Sequence, residues 1–328
     1  MTKTIINVTA ALIVKDDKVL AARRRPGKHL EGYWEFPGGK LEENETPEDC
    51  LERELAEEFR ISSRVRAFIG ESIYDYGDKI VRLLGFEVDH LSGDFELMDH
   101  DELRWLNIDQ LEDVKWAPAD IPLVEQYEAR TRAIGYYSTN ATEYCEETSE
   151  FDIGDLYRPF LERLSRGAHI LDLGCGSGRD SNAFREKGFE VTSVDGIAEI
   201  AAWASVFTGH SVVVKSFHEI DYKEEFDGVW ASASLLHCHS SQLQSVLQRI
   251  VASLKGGGIA YMSFKWGLED TVDDRGRRFT NHTMATLRDL VKTLDGTQIL
   301  DVWDAEKILR GQPQKWVYAM IQKTGAAT

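Results

Sequence analysis

Between Gly39 and Ile61 the chain places carboxylates at spacings suited to holding a divalent cation. Glu45 stands six residues after Gly39, Arg53-Glu54 begins eight residues later, and Glu57-Glu58 follows. Thr46-Pro47 reads as a helix N-cap followed by proline at the first helical position. On that helix Glu54, Glu57 and Glu58 fall at i, i+3 and i+4, so they project from one face. Carboxylates crowded this way repel one another unless a cation neutralises them, and hard oxygen donors suit Mg2+ or Mn2+. The competing explanation is a solvated acidic face, which is what most charge runs are. A second constellation begins at His169, where an apolar strand runs into the glycines Gly174, Gly176 and Gly178 and a helical pattern follows from Arg179. Such a turn lets a ligand approach the backbone closely. Another strand then ends in Asp195, whose carboxylate can accept both hydroxyls of an adenosine ribose.

The first constellation resembles the Nudix box, with Gly39, Glu45, Arg53, Glu54, Leu55, Glu57, Glu58 and Ile61 on pattern. The departure is Arg60, where a second glycine is usual, which implies a different cap or backbone strain. Flanking segments are similar to the branch containing MutT and the CTP pyrophosphohydrolases. Trp34-Glu35-Phe36-Pro37-Gly38-Gly39-Lys40 resembles its lead-in, and the resemblance implies that the Gly38 carbonyl joins Glu54, Glu57 and Glu58 as a metal ligand. Arg24, in the run Arg23-Arg24-Arg25, falls where the branch has a phosphate-binding arginine; a basic patch at a strand end is the alternative. The segment 117–123 resembles the part that meets the base, with Asp120 where the 8-oxo-guanine enzymes carry Asn. A carboxylate accepts only, which favours a base offering amino or imino donors; cytosine, adenine and guanine all qualify.

The implied chemistry is attack of water on a bridging phosphate, with Mg2+ offsetting the developing charge. Glu54, Glu57, Glu58 or a loop acid removes the proton from water. Asp99 is the loop candidate, six residues before Trp105, with Asp101 and Glu102 as competitors. Arg53 is expected to hold the loop through Glu45.

The order Asp172-Leu173-Gly174-Cys175-Gly176-Ser177-Gly178, with an acid before the first glycine, is similar to motif I of class I S-adenosylmethionine-dependent methyltransferases. That resemblance implies cofactor contacts from Asp172, Gly174, Gly176, Gly178 and Asp195, with Ser216 and Phe217 near adenine. The acid common in that loop is missing, and a backbone carbonyl is the alternative contact. A fourth strand at 226–231, a helix at 242–254, a Gly-rich turn at 255–258 and a strand at 259–264 agree with the same family. The acceptor is not specified. His237, just beyond the fourth strand, stands either as a general base near neutral pH or as a satisfied buried histidine. Tyr136, Tyr137 and 140–144 are either a lid over the methionine end or linker packing, and Lys265 with 275–278 either an anion site or a solvated loop.

These motifs need two α/β domains: a Nudix α/β/α sandwich with a mixed sheet over 1–133, an ordered connection over 134–150, and a doubly wound Rossmann-like methyltransferase sheet over 151–328. Strands are expected near 4–14, 18–24, 64–74, 80–88 and 103–106, helices near 47–58 and 121–133, and a closing hairpin at 298–302 and 316–321. No glycine-rich linker separates the halves, so a fairly fixed arrangement is expected. The length of 328 residues and hydrophobic share of 42% suit two ordinary cores. The formal charge is −18, with −12 in residues 1–130 and −6 beyond, which disfavours nucleic acid as a partner of either half. No apolar run approaches a membrane span, the N-terminus reads as a strand start, and the four cysteines make no CxxC pair, so a cytoplasmic protein is expected. The sequence reading is therefore a bifunctional enzyme. It combines Mg2+-dependent pyrophosphohydrolysis of a modified or oxidised nucleoside triphosphate with S-adenosylmethionine-dependent methyl transfer to a small acceptor. Its rivals are one half acting as a ligand sensor, or a nucleic-acid modification protein. Oligomeric state is outside what the sequence specifies.

Overall fold

The computed structural model describes residues 3–275, 277–309 and 312–325. The chain divides between Thr131 and Arg132 into two compact units, each with its own sheet. In the first unit β1 (Thr4–Lys15), β2 (Lys18–Arg24), β3 (Trp34–Glu35), β4 (Ser62–Asp75), β5 (Lys79–Ser92) and β6 (His100–Leu106) form a mixed sheet. β1 runs parallel to β5, while β2 is antiparallel to β1, β3 and β6. Asp16 and Asp17 both hold positive φ (49° and 58°), the backbone a two-residue hairpin between β1 and β2 requires.

Side chains alternate along β1, and that alternation makes two cores. Ala10 and Leu12 face Leu123, Val124 and Tyr127 of α2 (Ile121–Thr139). Ala11 and Ile13 face Leu51, Leu55 and Phe59 of α1 (Pro47–Phe59). Each of these fully buried α1 side chains contributes roughly 1.5–3 kcal/mol, far more than intrinsic helix propensity. The result is an α/β/α sandwich with the acidic face of α1 turned away from its core.

The second unit takes in the end of α2 and α3 (Ala141–Ser149), so the segment 134–150 is largely helical. α4 (Gly154–Leu161) leads to the alternating elements β7 (His169–Leu173), α5 (Arg179–Glu186), β8 (Glu190–Asp195), α6 (Ala198–Thr208) and β9 (Val212–Val214). Then come β10 (Phe226–Ala231), α7 (Ser240–Ser253), β11 (Leu254–Lys265), the small hairpin of β12 (Thr271–Val272) and β13 (Arg278–Phe279), α8 (Met284–Lys292), β14 (Thr297–Leu309) and β15 (Gln312–Lys323). Among the described residues the sheet order is β14-β15-β11-β10-β7-β8-β9, parallel except where β15 pairs antiparallel with both neighbours. Counted within this sheet, the order is 3-2-1-4-5-7-6. The direction of winding reverses between β7 and β10, which opens a crevice at the carboxyl ends of those strands. Glycines 256–258, expected as a turn before β11, lie inside that strand as a bulge against β10, where the register jumps between Phe226 and Gly228. Trp230 stacks on Tyr261 at 3.9 Å between ring centroids, and Phe160 and Phe184 close around them. Among the described residues no helix is long and apolar enough to cross a membrane.

Candidate active sites

In the first unit Thr46 accepts the Asp49 N–H at 3.1 Å, and Pro47 opens α1 as expected. The other end of the helix shows what Arg60 does in place of glycine: it holds the left-handed conformation itself, at φ 57° and ψ 27°. The Glu58 and Phe59 carbonyls accept N–H groups of Met98 and Glu96 at 3.3 and 3.0 Å. The loop before the helix is packed to contact. A Cβ on Gly38 would meet the Thr9 carbonyl oxygen at 2.0 Å, and one on Gly39 would meet the Glu54 carboxyl carbon at 2.0 Å. Pro37 and Gly39 carbonyls accept the N–H groups of Ala11 and Thr9. The intervening Gly38 carbonyl therefore turns the opposite way along this extended segment.

Arg53 organises the acids. Its Nε and Nη2 donate to the two oxygens of Glu45 at 2.8 and 3.0 Å, its Nη1 to Glu54 at 2.9 Å, and Nη2 also to the Lys40 carbonyl at 3.4 Å. The fork fits a carboxylate, and it draws the Glu45 pKa down to about 2. Glu54 is mostly covered (15% exposed), whereas Glu57 is 62% exposed. Glu58 is pushed up to about 7, first by burial, with Asp99, Glu54 and Glu35 adding to the rise and His100 opposing it. Among the described residues no three acids or imidazoles already converge into a metal cage. The donor set nonetheless fits Mg2+ or Mn2+ chemically. Hard oxygens share one helix face, and the neighbouring negative charge that adds to burial in suppressing ionisation of Glu58 is what a divalent cation would relieve.

The other expected residues surround this face but are already engaged. Arg24 donates through Nη1 to both oxygens of Glu35 (2.8 and 2.6 Å) and through Nε to the His29 carbonyl (2.6 Å). Glu35 also bonds His100 Nε2 at 2.9 Å. Asp99 is near enough to Glu58 to raise its pKa, yet its own is lowered by the Lys28 ammonium 2.7 Å away. Its competitors Asp101 and Glu102 pair with Arg23, both at 2.7 Å. Asp120 is buried and accepts the Phe36 N–H at 2.9 Å. Burial, and after it the charge of Glu35, raises its pKa well above the usual range. A protonated Asp120 would donate as well as accept, widening the base edges it could match beyond those of a carboxylate. Tyr76 lies beside it, taking the Ala119 N–H at 3.3 Å and meeting His29 edge-on. Glu35, Lys28, His100 and Tyr76 were not expected; of these only Glu35 sat inside a recognisable segment.

In the second unit Gly174, Gly176 and Gly178 have φ of 72°, 54° and 76°, all left-handed. Side chains at the outer two would collide: a Cβ on Gly174 meets Ser234 Cβ at 2.4 Å, and one on Gly178 meets Thr208 Cγ2 at 2.5 Å. Gly176 instead faces a cavity of about 380 Å³, lined also by Gly174, Tyr137, Tyr144, His237, Lys265 and Arg277. Asp195 Oδ2 accepts the Gly176 N–H at 3.0 Å and Oδ1 the Ile197 N–H at 2.9 Å, with the Gly196 N–H also directed at the carboxylate. Burial raises its pKa to about 6 against those bonds. Phe217 comes up to the turn, its Cε1 3.6 Å from the Cβ position of Gly174, whereas Ser216 Cα lies 3.7 Å from that of Gly196, just after Asp195. Asp172, like Gly178, Asp195, Ser216 and Phe217, is not among the described residues that line the cavity. It is buried behind the turn, accepting the Ser181 hydroxyl at 2.6 Å, and burial together with the charge of Asp180 raises its pKa.

Two further features lie at the cavity. Asp180 accepts Arg179 Nε, Tyr157 Oη and Trp230 Nε1, each at 2.7 Å, tying the start of α5 to the core. His237 is half-buried and paired with Tyr137 Oη at 3.0 Å. The Arg275–Arg278 segment also reaches this wall through Arg277, while Gly276 lies outside the described residues. Cys50, Cys145, Cys175 and Cys238 are free and buried.

Comparison with known proteins follows the same division. The NUDIX domain family matches residues 4–127 and a methyltransferase domain family matches residues 170–258. The CTP pyrophosphohydrolase of Escherichia coli is 35% identical over 124 residues, which is 38% of this chain and 92% of that protein. The 8-oxo-dGTP diphosphatase of Proteus vulgaris is 40% identical over 89 residues, 27% of this chain and 80% of that protein. The solved 1,6-didemethyltoxoflavin-N1-methyltransferase of Burkholderia thailandensis covers 61% of this chain and 89% of its own, at 23% identity and a TM-score of 0.50, a likeness of fold.

Proposed function

We propose, for a chain that belongs to the Nudix hydrolase family and carries a methyltransferase domain behind its Nudix domain, two activities on one polypeptide. The first unit hydrolyses a nucleoside triphosphate, ordinary or oxidised, to monophosphate and pyrophosphate. The second transfers a methyl group from S-adenosylmethionine to a small acceptor. The observation that carries the first reading is the single acidic face of α1, with Glu54 and Glu58 partly withdrawn from solvent and Glu45 locked by Arg53. Glu54, Glu57, Glu58 and the Gly38 carbonyl would hold the cation, which when bound neutralises phosphate charge and acidifies water. Asp120 and Tyr76 would meet the base, and Arg24 would reach phosphate only by exchanging its bonds to Glu35. The proton leaving water goes to a carboxylate of the α1 face, since Lys28 lowers the basicity of Asp99.

The second reading rests on three left-handed glycines, of which Gly174 and Gly176 line a cavity, with Asp195 bonded to Gly176. Gly176, Asp195, Ser216 and Phe217 would hold the nucleoside of S-adenosylmethionine, whose sulfonium supplies the methyl group.

The first test incubates the purified protein with Mg2+ and a panel of ordinary and oxidised nucleoside triphosphates and measures pyrophosphate, with Glu57→Gln as control. Selective turnover lost in Glu57→Gln supports the hydrolase reading, and no release on any member overturns it. Calorimetric titration with S-adenosylhomocysteine tests the second reading independently, and absence of binding overturns it.

A further inference from the structure

Resting on the methyl-transfer reading, we propose that Tyr137 and His237 form a proton-accepting pair for the acceptor, and that Lys265 and Arg277 select a small planar acid methylated at the oxygen or nitrogen that loses its proton.

The pair is built from distant parts of the unit. Tyr137 lies near the end of α2 and His237 just after β10, and Tyr137 Oη stands 3.0 Å from His237 Nε2. The other ring nitrogen, Nδ1, lies 3.3 Å from the Arg278 carbonyl. A carbonyl can only accept, so Nδ1 carries the hydrogen and Nε2 offers a lone pair to the Tyr137 hydroxyl. The Tyr137 oxygen keeps its own lone pairs beside the cavity, and Arg277 Nη1 donates to it at 3.3 Å. Burial, Arg277 and Lys265 press the His237 pKa down to about 4, against the Arg278 carbonyl and Asp273, so the imidazole is neutral and able to accept. An anion arriving beside the two cations cancels their share of that depression.

The wall selects for that anion. Among the described residues, Arg179, Lys265, Arg277 and Lys307 line the cavity with Asp152 and Asp180, in a chain whose formal charge is −18. Arg179 pairs with Asp180 and Arg277 with Asp273, and Lys265 and Lys307 add further positive charge to the same wall. Lys265 Nζ sits 3.4 Å from the Phe279 ring centroid, and the Arg277 guanidinium 5.3 Å from the same ring. Asp273 fixes Arg277 through Nε and Nη2, at 2.9 and 2.7 Å. Flat aromatic walls with cations along them fit a planar ring that carries negative charge once deprotonated.

In the step, the acceptor's O–H or N–H bond breaks and its proton passes to the Tyr137 oxygen as the Tyr137 proton moves to His237 Nε2. The electron pair left on the acceptor forms the new bond to carbon. The carbon–sulfur bond of the sulfonium donor breaks with its pair retained on sulfur. The products are methylated acceptor, thioether and imidazolium.

The test uses the full chain saturated with S-adenosylhomocysteine and 4-nitrophenol as probe, below the pH at which the free phenol ionises. Absorbance reports the phenolate, and calorimetry in two buffers of different ionisation enthalpy counts protons released. The expected result is bound yellow phenolate with no proton released to buffer. In Tyr137→Phe and His237→Gln the bound probe is colourless or releases about one proton, because the internal acceptor is gone. Lys265→Met and Arg277→Met weaken binding roughly tenfold or more, as loss of a charge-assisted contact does. A protein that binds S-adenosylhomocysteine but binds no probe, or binds it as neutral phenol, or shows one proton count in wild type and both pair variants, overturns the proposal alone. Failure to bind S-adenosylhomocysteine overturns the reading beneath it as well.

Discussion

The two candidate centres prepare for a charged ligand in opposite ways. On α1 the preparation is side-chain charge: Glu54, Glu57 and Glu58 share a face but do not converge, and Arg53 spends its fork on Glu45 and Glu54. At the turn after β7 the preparation is backbone shape: three left-handed glycines, with Asp195 already bonded to the Gly176 N–H. Repelling carboxylates cannot be brought together without a counter-charge, whereas peptide dipoles and tight turns can be assembled in advance. Metal removal should therefore alter the first centre locally and leave the second untouched.

Glu58→Gln breaks the comparison most severely. Hydrolysis should fall by roughly 10²- to 10⁴-fold, because a proposed metal ligand and candidate base is lost. The same change should raise the metal-free melting temperature of the first unit at pH 8. Burial pushes the Glu58 pKa from 4.5 to about 7, so ionisation above pH 7 opposes the fold and glutamine removes that opposition. Pyrophosphate release and calorimetry without Mg2+ check both halves, and a lower melting temperature would contradict the desolvated-acid reading.

Gly178→Val should damage the second centre through shape. A β-branched side chain at φ 76°, with Thr208 2.5 Å from its Cβ, costs about 2–4 kcal/mol and should abolish S-adenosylhomocysteine binding, leaving pyrophosphate release intact. Equal loss of both activities would show that the units do not fail separately.

Proton dependence should separate the centres next. Asp195 has its pKa raised from 3.8 to about 6 by burial, so the folded unit holds this proton more tightly than the unfolded chain. Its stabilising share is full below pH 3.8 and is lost as pH rises through 6. Ligand binding should run the other way, since ribose hydroxyls need an ionised acceptor. S-adenosylhomocysteine affinity should drop about tenfold from pH 7 to pH 5, and Asp195→Asn should flatten that slope.

The smallest effect tests the departure at Arg60. Arg60→Gly should stabilise the first unit by about 0.5–1 kcal/mol, since glycine adopts φ 57° without steric cost. Thermal unfolding measures it, with hydrolysis unchanged.

Much of each centre was legible because it is local. Thr46-Pro47 and the i, i+3, i+4 spacing of Glu54, Glu57 and Glu58 specify a capped helix and its acidic face within thirteen residues. Three glycines two residues apart, entered from an apolar strand, specify left-handed backbone wherever the turn sits. The alternation of apolar segments carried the rest, down to the closing hairpin of β14 and β15. It could not show that glycines 256–258 bulge within β11, because a bulge depends on the register of the neighbouring strand.

Burial and partnership were decided only by the tertiary structure. Sequence placed Arg24 and Asp99 near phosphate and water, but folding delivered Glu35 to one and Lys28 to the other. It could not show that Asp172 is buried and bonded to Ser181. It offered His237 as base or core, and only the fold brought Tyr137 to its Nε2 across 100 residues of chain. Spacing along a helix or turn is a covalent property, so it can be read from the order of residues. Desolvation and the proton held between two side chains depend on which segments pack together, and that exists only once the sheets have formed.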